Sequence, residues 1–172
     1  MSVFEFSPPS LDLDALRAVA LRHYGLEGQV RMLNSERDQN ARLDTSAGRF
    51  VLKVVNAGED AALIALQDAV ILHLAQAHVT GIPRLVPTLA GTNNAVEAVD
   101  GRNCLVRLVS YLDGTLLSEA PRSLTQLRNL GGFMGRVTRG LQGFGHPAAI
   151  RADLPWSLDH VAALKTSVAD IA

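Results

Sequence analysis

The chain has 172 residues, 48% hydrophobic and 19% charged, with 16 Lys+Arg against 17 Asp+Glu and a net charge of -1. That is enough for a real core in one compact domain, or one and a half. The balanced charge argues against nucleic acid or an anionic membrane as the main partner, and no apolar run reaches the ~18 residues that span a bilayer.

In chain order, Leu13, Leu16, Val19, Ala20 and Tyr24 fall at helical spacing, with Gly25 as the stop. Residues 29–34, 40–45 and 49–55 then read as strands, joined by the polar turn Ser35-Glu36-Arg37-Asp38-Gln39-Asn40 and by Ala47-Gly48. Helical period returns from Asp60 to His78, with Leu63, Leu66, Val70 and Leu74 on one face, and Gly81-Ile82-Pro83 closes it. Three more strands follow, at Val86–Leu89, Val96–Val99 and Asn103–Tyr111. Gly91-Thr92-Asn93-Asn94 and Asp100-Gly101 form the turns between them.

Ser123 and Gln126 suit a capping box at the start of a helix that runs to about Gln142. Its expected buried stripe is Leu124, Leu127, Leu130, Met134, Val137 and Leu141. Gly131, Gly132, Gly135 and Gly140 cost helix stability at about 1 kcal/mol each, which close packing of another backbone would explain. Leu158 to Ile171 reads as a last helix. The fold class is therefore α+β: a small lobe of five or six antiparallel strands with helices, residues 1–112, then a hinge near Ser110–Thr115. The beginning of a helical lobe, incomplete, occupies 113–172.

The residue that carries chemistry is Lys53, inside the apolar strand Phe50-Val51-Leu52-Lys53-Val54-Val55. Alternation puts it with Val51 and Val55, opposite Phe50, Leu52 and Val54. A buried, unpaired ammonium is expensive, so taken alone it reads as a solvent-facing lysine. The order around it points elsewhere. A hairpin turn, then Val-Leu-Lys-Val, then a helix resembles the phosphate-anchoring strand of kinases. On that reading the 35–40 turn covers the phosphates with backbone amides and with Ser35, Arg37 and Asn40, although it contains no glycine. The following helix offers Gln67 where a kinase has the acid that pairs with the lysine; Asp68 and Glu59 are the carboxylates nearby. Ser110, Tyr111 and Leu112 are the hinge positions that would read adenine through main-chain groups.

Other chemistries lack their marks. The five histidines show no metal spacing with one another or with Cys104, a lone thiol in the run Cys104-Leu105-Val106 that reads as a buried strand residue. Neither G-x-x-x-x-G-K-[ST] nor G-x-G-x-x-G occurs. One cysteine and a start without a basic-then-apolar leader fit the cytoplasm.

Taken together, several segments resemble the aminoglycoside phosphotransferase family, and within it the hydroxylysine kinase branch. They are Glu36-Arg37-Asp38-Gln39-Asn40, Phe50-Val51-Leu52-Lys53, Leu112-Asp113-Gly114, Leu130–Val137, Phe144-Gly145-His146-Pro147 and Trp156-Ser157-Leu158. The resemblance implies a protein kinase-like fold, ATP or GTP as donor, Mg2+, and a small hydroxylated acceptor such as a hydroxylysine-, homoserine- or aminoglycoside-like amino alcohol. It assigns Lys53 to the phosphates, the 35–40 turn to their cover and 110–112 to the adenine. Serine at 157 departs from the Asp or Asn expected there. The family's catalytic base and metal-binding residues have no counterpart in this chain. The expectation is a truncated kinase, inactive alone and prone to self-association. The competing expectation is a non-catalytic nucleotide- or partner-binding module.

Overall fold

The computed structural model describes residues 7–150. Helix α1 (Leu13–Tyr24) begins where the Asp12 carboxylate accepts the Ala15 amide at 2.7 Å, and ends at Gly25 with φ 65°. That left-handed residue lets the Gly25 and Leu26 amides return to the Leu21 and Ala20 carbonyls. Strands β1 (Gly28–Leu33), β2 (Gln39–Thr45) and β3 (Gly48–Val54) follow as an antiparallel meander. Helix α2 (Ala61–Gln76) is capped by Asp60 and precedes β4 (Leu85–Val86), β5 (Asn94–Val99) and β6 (Arg102–Ser110). Helix α3 (Leu124–Gly140) and a 3-10 turn at Pro147–Ala149 complete the described chain.

Among the described residues the six strands form one sheet in the order β1-β2-β3-β6-β4, with β5 also on β6. Strand β6 is long enough, at nine residues, to divide its outer edge. Leu108 and Val109 pair with β4, and Arg102 to Arg107 pair with β5. The β5–β6 hairpin turns through Asp100 and Gly101, both with positive φ, the geometry that a two-residue hairpin requires.

The two sheet faces have different tasks. On one, Val30, Leu43, Leu52, Val54, Val106 and Leu108 pack with Leu16, Val19 and Ala20 of α1 into the main core. The register puts Asn40, Arg42, Val51, Lys53, Arg107 and Val109 on the other face, since residues directly opposite in a ladder share a side. Helix α2 meets that second face. Helix α1 is also tied to the sheet by charge: Glu97 of β5 receives Arg22 at 2.7 Å and His23 at 2.8 Å.

Strand and helix positions follow the periodicities, with four differences. The strand expected at Val86–Leu89 is the two-residue β4, because Pro87 has no amide hydrogen to continue the ladder and Leu89 lies exposed in the turn beyond it. Helix α2 stops at Gln76, not at His78, because His78 takes a left-handed φ of 55°. Its buried positions are Leu63, Ile64, Asp68 and Leu74, so a carboxylate joins the face on which Leu66 and Val70 were expected to be central. The apolar stripe of α3 exists, but Leu124, Leu127, Leu130 and Met134 are exposed and no residue of the helix is buried. Of its glycines only Gly140 meets close neighbours; a Cβ there would lie 2.7 Å from Val79 and 3.0 Å from Leu74. The expected helix at 158–171 lies outside the described residues.

Two outcomes follow from these contacts. With Leu124, Leu127, Leu130 and Met134 exposed on one helix, self-association of the 172-residue chain is the expected outcome, since large exposed apolar patches are rare on monomers. Sedimentation velocity should show mass rising with concentration, and Leu127→Glu with Leu130→Glu should shift the chain toward monomer. Glu97 behaves differently with pH. Burial pushes its carboxyl up, but the bonds from His23 and Arg22 prevail and hold it below its ordinary 4.5. Its stabilising effect is full above that value and is lost as pH falls through the depressed one. In urea unfolding, the gap between parent and Glu97→Gln should be widest near about pH 6 and close toward about pH 3.

Candidate functional site

Lys53 sits on β3 between two ladder neighbours, Asn40 of β2 and Arg107 of β6. Two cations side by side on adjacent strands repel, so each requires an anion. Arg107 is 2% exposed and Asp68 of α2 is 3% exposed; Arg107 Nη2 lies 2.5 Å from Asp68 Oδ1. Burial lowers the Arg107 pKa, while Asp68 and Asp38 oppose that shift. Asp68 Oδ2 also accepts from Asn94 Nδ2 at 2.8 Å, and Gln67 Oε1 accepts from Arg107 Nη1 at 2.8 Å. Helix, central strand and edge strand are thus joined through the Arg107–Asp68 pair.

Lys53 finds its anion in the turn. Its Nζ is 3.7 Å from Asp38 Oδ2, and both side chains are about a quarter exposed. The other Asp38 oxygen accepts the Asn56 amide at 3.1 Å. The turn is pinned from several sides. Asn56 Nδ2 donates to the Arg37 carbonyl at 3.2 Å and to the Ser7 carbonyl at 3.4 Å. The buried Gln39 side chain exchanges two hydrogen bonds with the Leu11 backbone, at 2.8 and 2.6 Å. Arg37 pairs with Glu59 at 3.3 Å. Asn40 Nδ2 donates to Ser35 Oγ at 3.0 Å.

At the other end of this face the Arg42 guanidinium lies 4.9 Å from the centre of the Tyr111 ring and is held by Asp44 at 2.7 Å. Tyr111 and Ser110 are committed through their amides, which donate to the Arg49 and Arg84 carbonyls at 2.9 and 2.8 Å. Ser110 Oγ accepts the Arg84 amide. Arg49 also reaches Asp113 at 2.6 Å. Ser110, Tyr111 and Leu112 line a cavity of about 450 Å³ together with Ile82 and Arg84 of the α2–β4 connection; Lys53 is not part of its lining.

The structure therefore places Lys53 beside Asp38 and opposite Asn40, whose side chain bonds Ser35, while Arg37 turns to Glu59. Gln67 binds Arg107, not Lys53, and the two alternative acids are engaged elsewhere, Asp68 by Arg107 and Glu59 by Arg37. Sequence reasoning passed over Asp38 and Arg107. The signal for Arg107 was the same one that exposed Lys53, a cation inside the apolar run Cys104–Val109. Among the described residues no cluster of three or more His, Cys, Asp or Glu is arranged to hold a metal ion. At the turn, Asn40 Oδ1 is buried without a hydrogen-bond partner on the strand position opposite Lys53. No helix among the described residues is long and apolar enough to cross a membrane.

Comparison with known proteins extends this picture. Residues 29–170 match the model of a phosphotransferase enzyme family. A hydroxylysine kinase of Danio rerio is 34% identical over 151 residues, which cover 82% of this chain and 42% of that protein. The hydroxylysine kinase of Mus musculus is 27% identical over 156 residues, covering 80% and 41%. The chain thus spans less than half the length of these relatives. Among solved structures, an amicoumacin kinase in complex with AMP-PNP and Ca2+ superposes with a TM-score of 0.72 at 18% identity, over 91% of this chain and 48% of the other. A microcompartment-associated aminopropanol kinase gives 0.63 at 18%, over 87% and 46%. These superpositions show the fold, a kinase-like small lobe with part of the large one.

One outcome tests the buried pair. Removing one partner of a desolvated ion pair strands the other, so Arg107→Met or Asp68→Leu should each cost about 3–5 kcal/mol. The double variant R107M/D68L should recover most of that loss, because apolar side chains of similar volume replace both charges. Urea unfolding of the four chains measures it.

Proposed function

The chain belongs to the phosphotransferase enzyme family, and from that premise we propose that it is the nucleotide-binding part of a small-molecule kinase. The protein it serves transfers the γ-phosphate of ATP or GTP, with Mg2+, to a hydroxyl of a small metabolite. Hydroxylysine-, homoserine- and aminoglycoside-like amino alcohols are the acceptor class. Likeness to hydroxylysine kinases supports the first of these. The observation that carries the reading is the position of Lys53, on the sheet face away from the main core and beside a pinned turn.

Each residue has a role on this reading. Lys53 holds the phosphates as a point charge. The 35–40 turn, with Ser35, Arg37 and Asn40, covers them. Adenine lies against Tyr111 and Val51. The Ser110 and Tyr111 amides are already spent, so Leu112 supplies the donor; its amide has no backbone partner among the described residues. Gln67 is spent on Arg107 and has no part in aiming Lys53. Residues 1–112 form the nucleotide-binding lobe and 113–172 lead into the acceptor lobe. Phosphoryl transfer depends chiefly on positioning and charge neutralisation, so a lobe without catalytic base and metal ligands binds nucleotide without turnover. A second reading, a non-catalytic binding module, draws on one observation: the helix acid Asp68 is taken by Arg107 and leaves the usual lysine–helix clamp unmade.

Calorimetric titration with MgATP and MgGTP tests the proposal. Lys53→Ala should weaken binding about tenfold or more, as a charge-assisted contact contributes ~1.5–3 kcal/mol. Arg49→Ala, whose partner Asp113 is exposed, should change little. A Lys53→Ala chain that binds like the parent would refute the phosphate assignment. Turnover with hydroxylysine or homoserine by the protein that contains this chain separates kinase from module.

A further inference from the structure

We propose that Asp38 of the turn, rather than an acid of α2, is the positioning residue for the Lys53 ammonium, so that phosphate binding is coupled to the turn and not to the helix. This deepens the nucleotide reading above and rests on it. Three observations carry it. Every side chain of the α2 region that could pair with Lys53 is occupied: Gln67 and Asp68 by Arg107, and Glu59 by Arg37. Among the described residues the ion pair of Lys53 is with Asp38, at 3.7 Å. Asp38 is itself fixed, because its second oxygen accepts the amide of Asn56, three residues after Lys53 on the same chain segment.

The geometry gives this carboxylate a defined task. At 3.7 Å it steers the ammonium without a tight hydrogen bond, so the three donors of Lys53 stay open to phosphate oxygens. Asp38 also belongs to the segment that would lie over those phosphates. Ordering the turn and aiming the lysine are then one event. Helix α2, locked by the buried Arg107–Asp68 pair, takes no part in it.

The test is titration of the 172-residue chain with MgATP and, separately, with adenosine, which lacks phosphates. Asp38→Asn keeps the shape and the acceptor for the Asn56 amide but removes the charge. It should weaken MgATP binding about fivefold or more and leave adenosine binding and thermal stability near the parent. Asp38→Glu should restore most of the loss. Asp68→Asn should lower the melting temperature while MgATP and adenosine affinities keep the parent's ratio. Asp38→Asn binding MgATP as tightly as the parent, or tighter, overturns the proposal; tighter binding would mark Asp38 as a competitor of phosphate. A larger selective loss in Asp68→Asn overturns it too. Lys53→Ala separates the two levels. If it also binds like the parent, the nucleotide reading fails; if it loses affinity while Asp38→Asn does not, only the present inference fails.

Discussion

Two positive charges stand next to each other on the central strands, and the rest of this face is arranged to tolerate them. Lys53 and Arg107 are direct ladder partners. Repulsion at that spacing, in a partly dehydrated setting, has to be cancelled locally. The chain does so with one carboxylate from each flank. Asp68 descends from α2 onto Arg107, and Asp38 reaches from the turn toward Lys53. The division is unequal. The arginine pair is nearly sealed from water, whereas the lysine pair stays partly open. A sealed charge pair organises structure, and an accessible one can exchange its partner for a ligand.

How much of this could be read beforehand depended on the range of the cause. Helix α1 was legible because its apolar spacing and its Gly25 stop act over one turn; the Asp12 cap, equally local, went unread. The strands β1–β3 and the Asp100-Gly101 hairpin followed from alternation and turn chemistry, which are also local. The side of the sheet that Lys53 occupies came from period-two alternation alone. What was not legible involves separations of fifteen to forty residues. Nothing near Gln67 in sequence says that an arginine forty positions later will claim it and its neighbour. Similarly, Asp38 looked like one more solvated charge until the register set Asn40 opposite Lys53. The α3 stripe shows the opposite failure. Its periodicity was read correctly, but periodicity states which side of a helix is apolar, not whether anything covers it.

Kinase-like folds tie a lysine to a helix so that helix movement can switch the site. Here the helix is fastened to a different cation, and its link to Asn94 extends the fastening to β5. Glu97, on the same strand, holds α1 from the opposite direction. The small lobe is thereby cross-braced on both faces.

The strand-by-strand view hides one dependency at the start of the chain. Ser7 and Leu11 lie outside any regular element, yet their backbone groups bind Asn56, which holds Asp38 and Arg37, and Gln39, the neighbour of Asp38. A gene fragment cut at Leu13, the first helical residue, would keep every helix and strand and still unbuckle this strap. Epitope tags, fusion joints and proteolytic trimming just before α1 therefore act on the loop beside Lys53, although no secondary-structure boundary would warn of it.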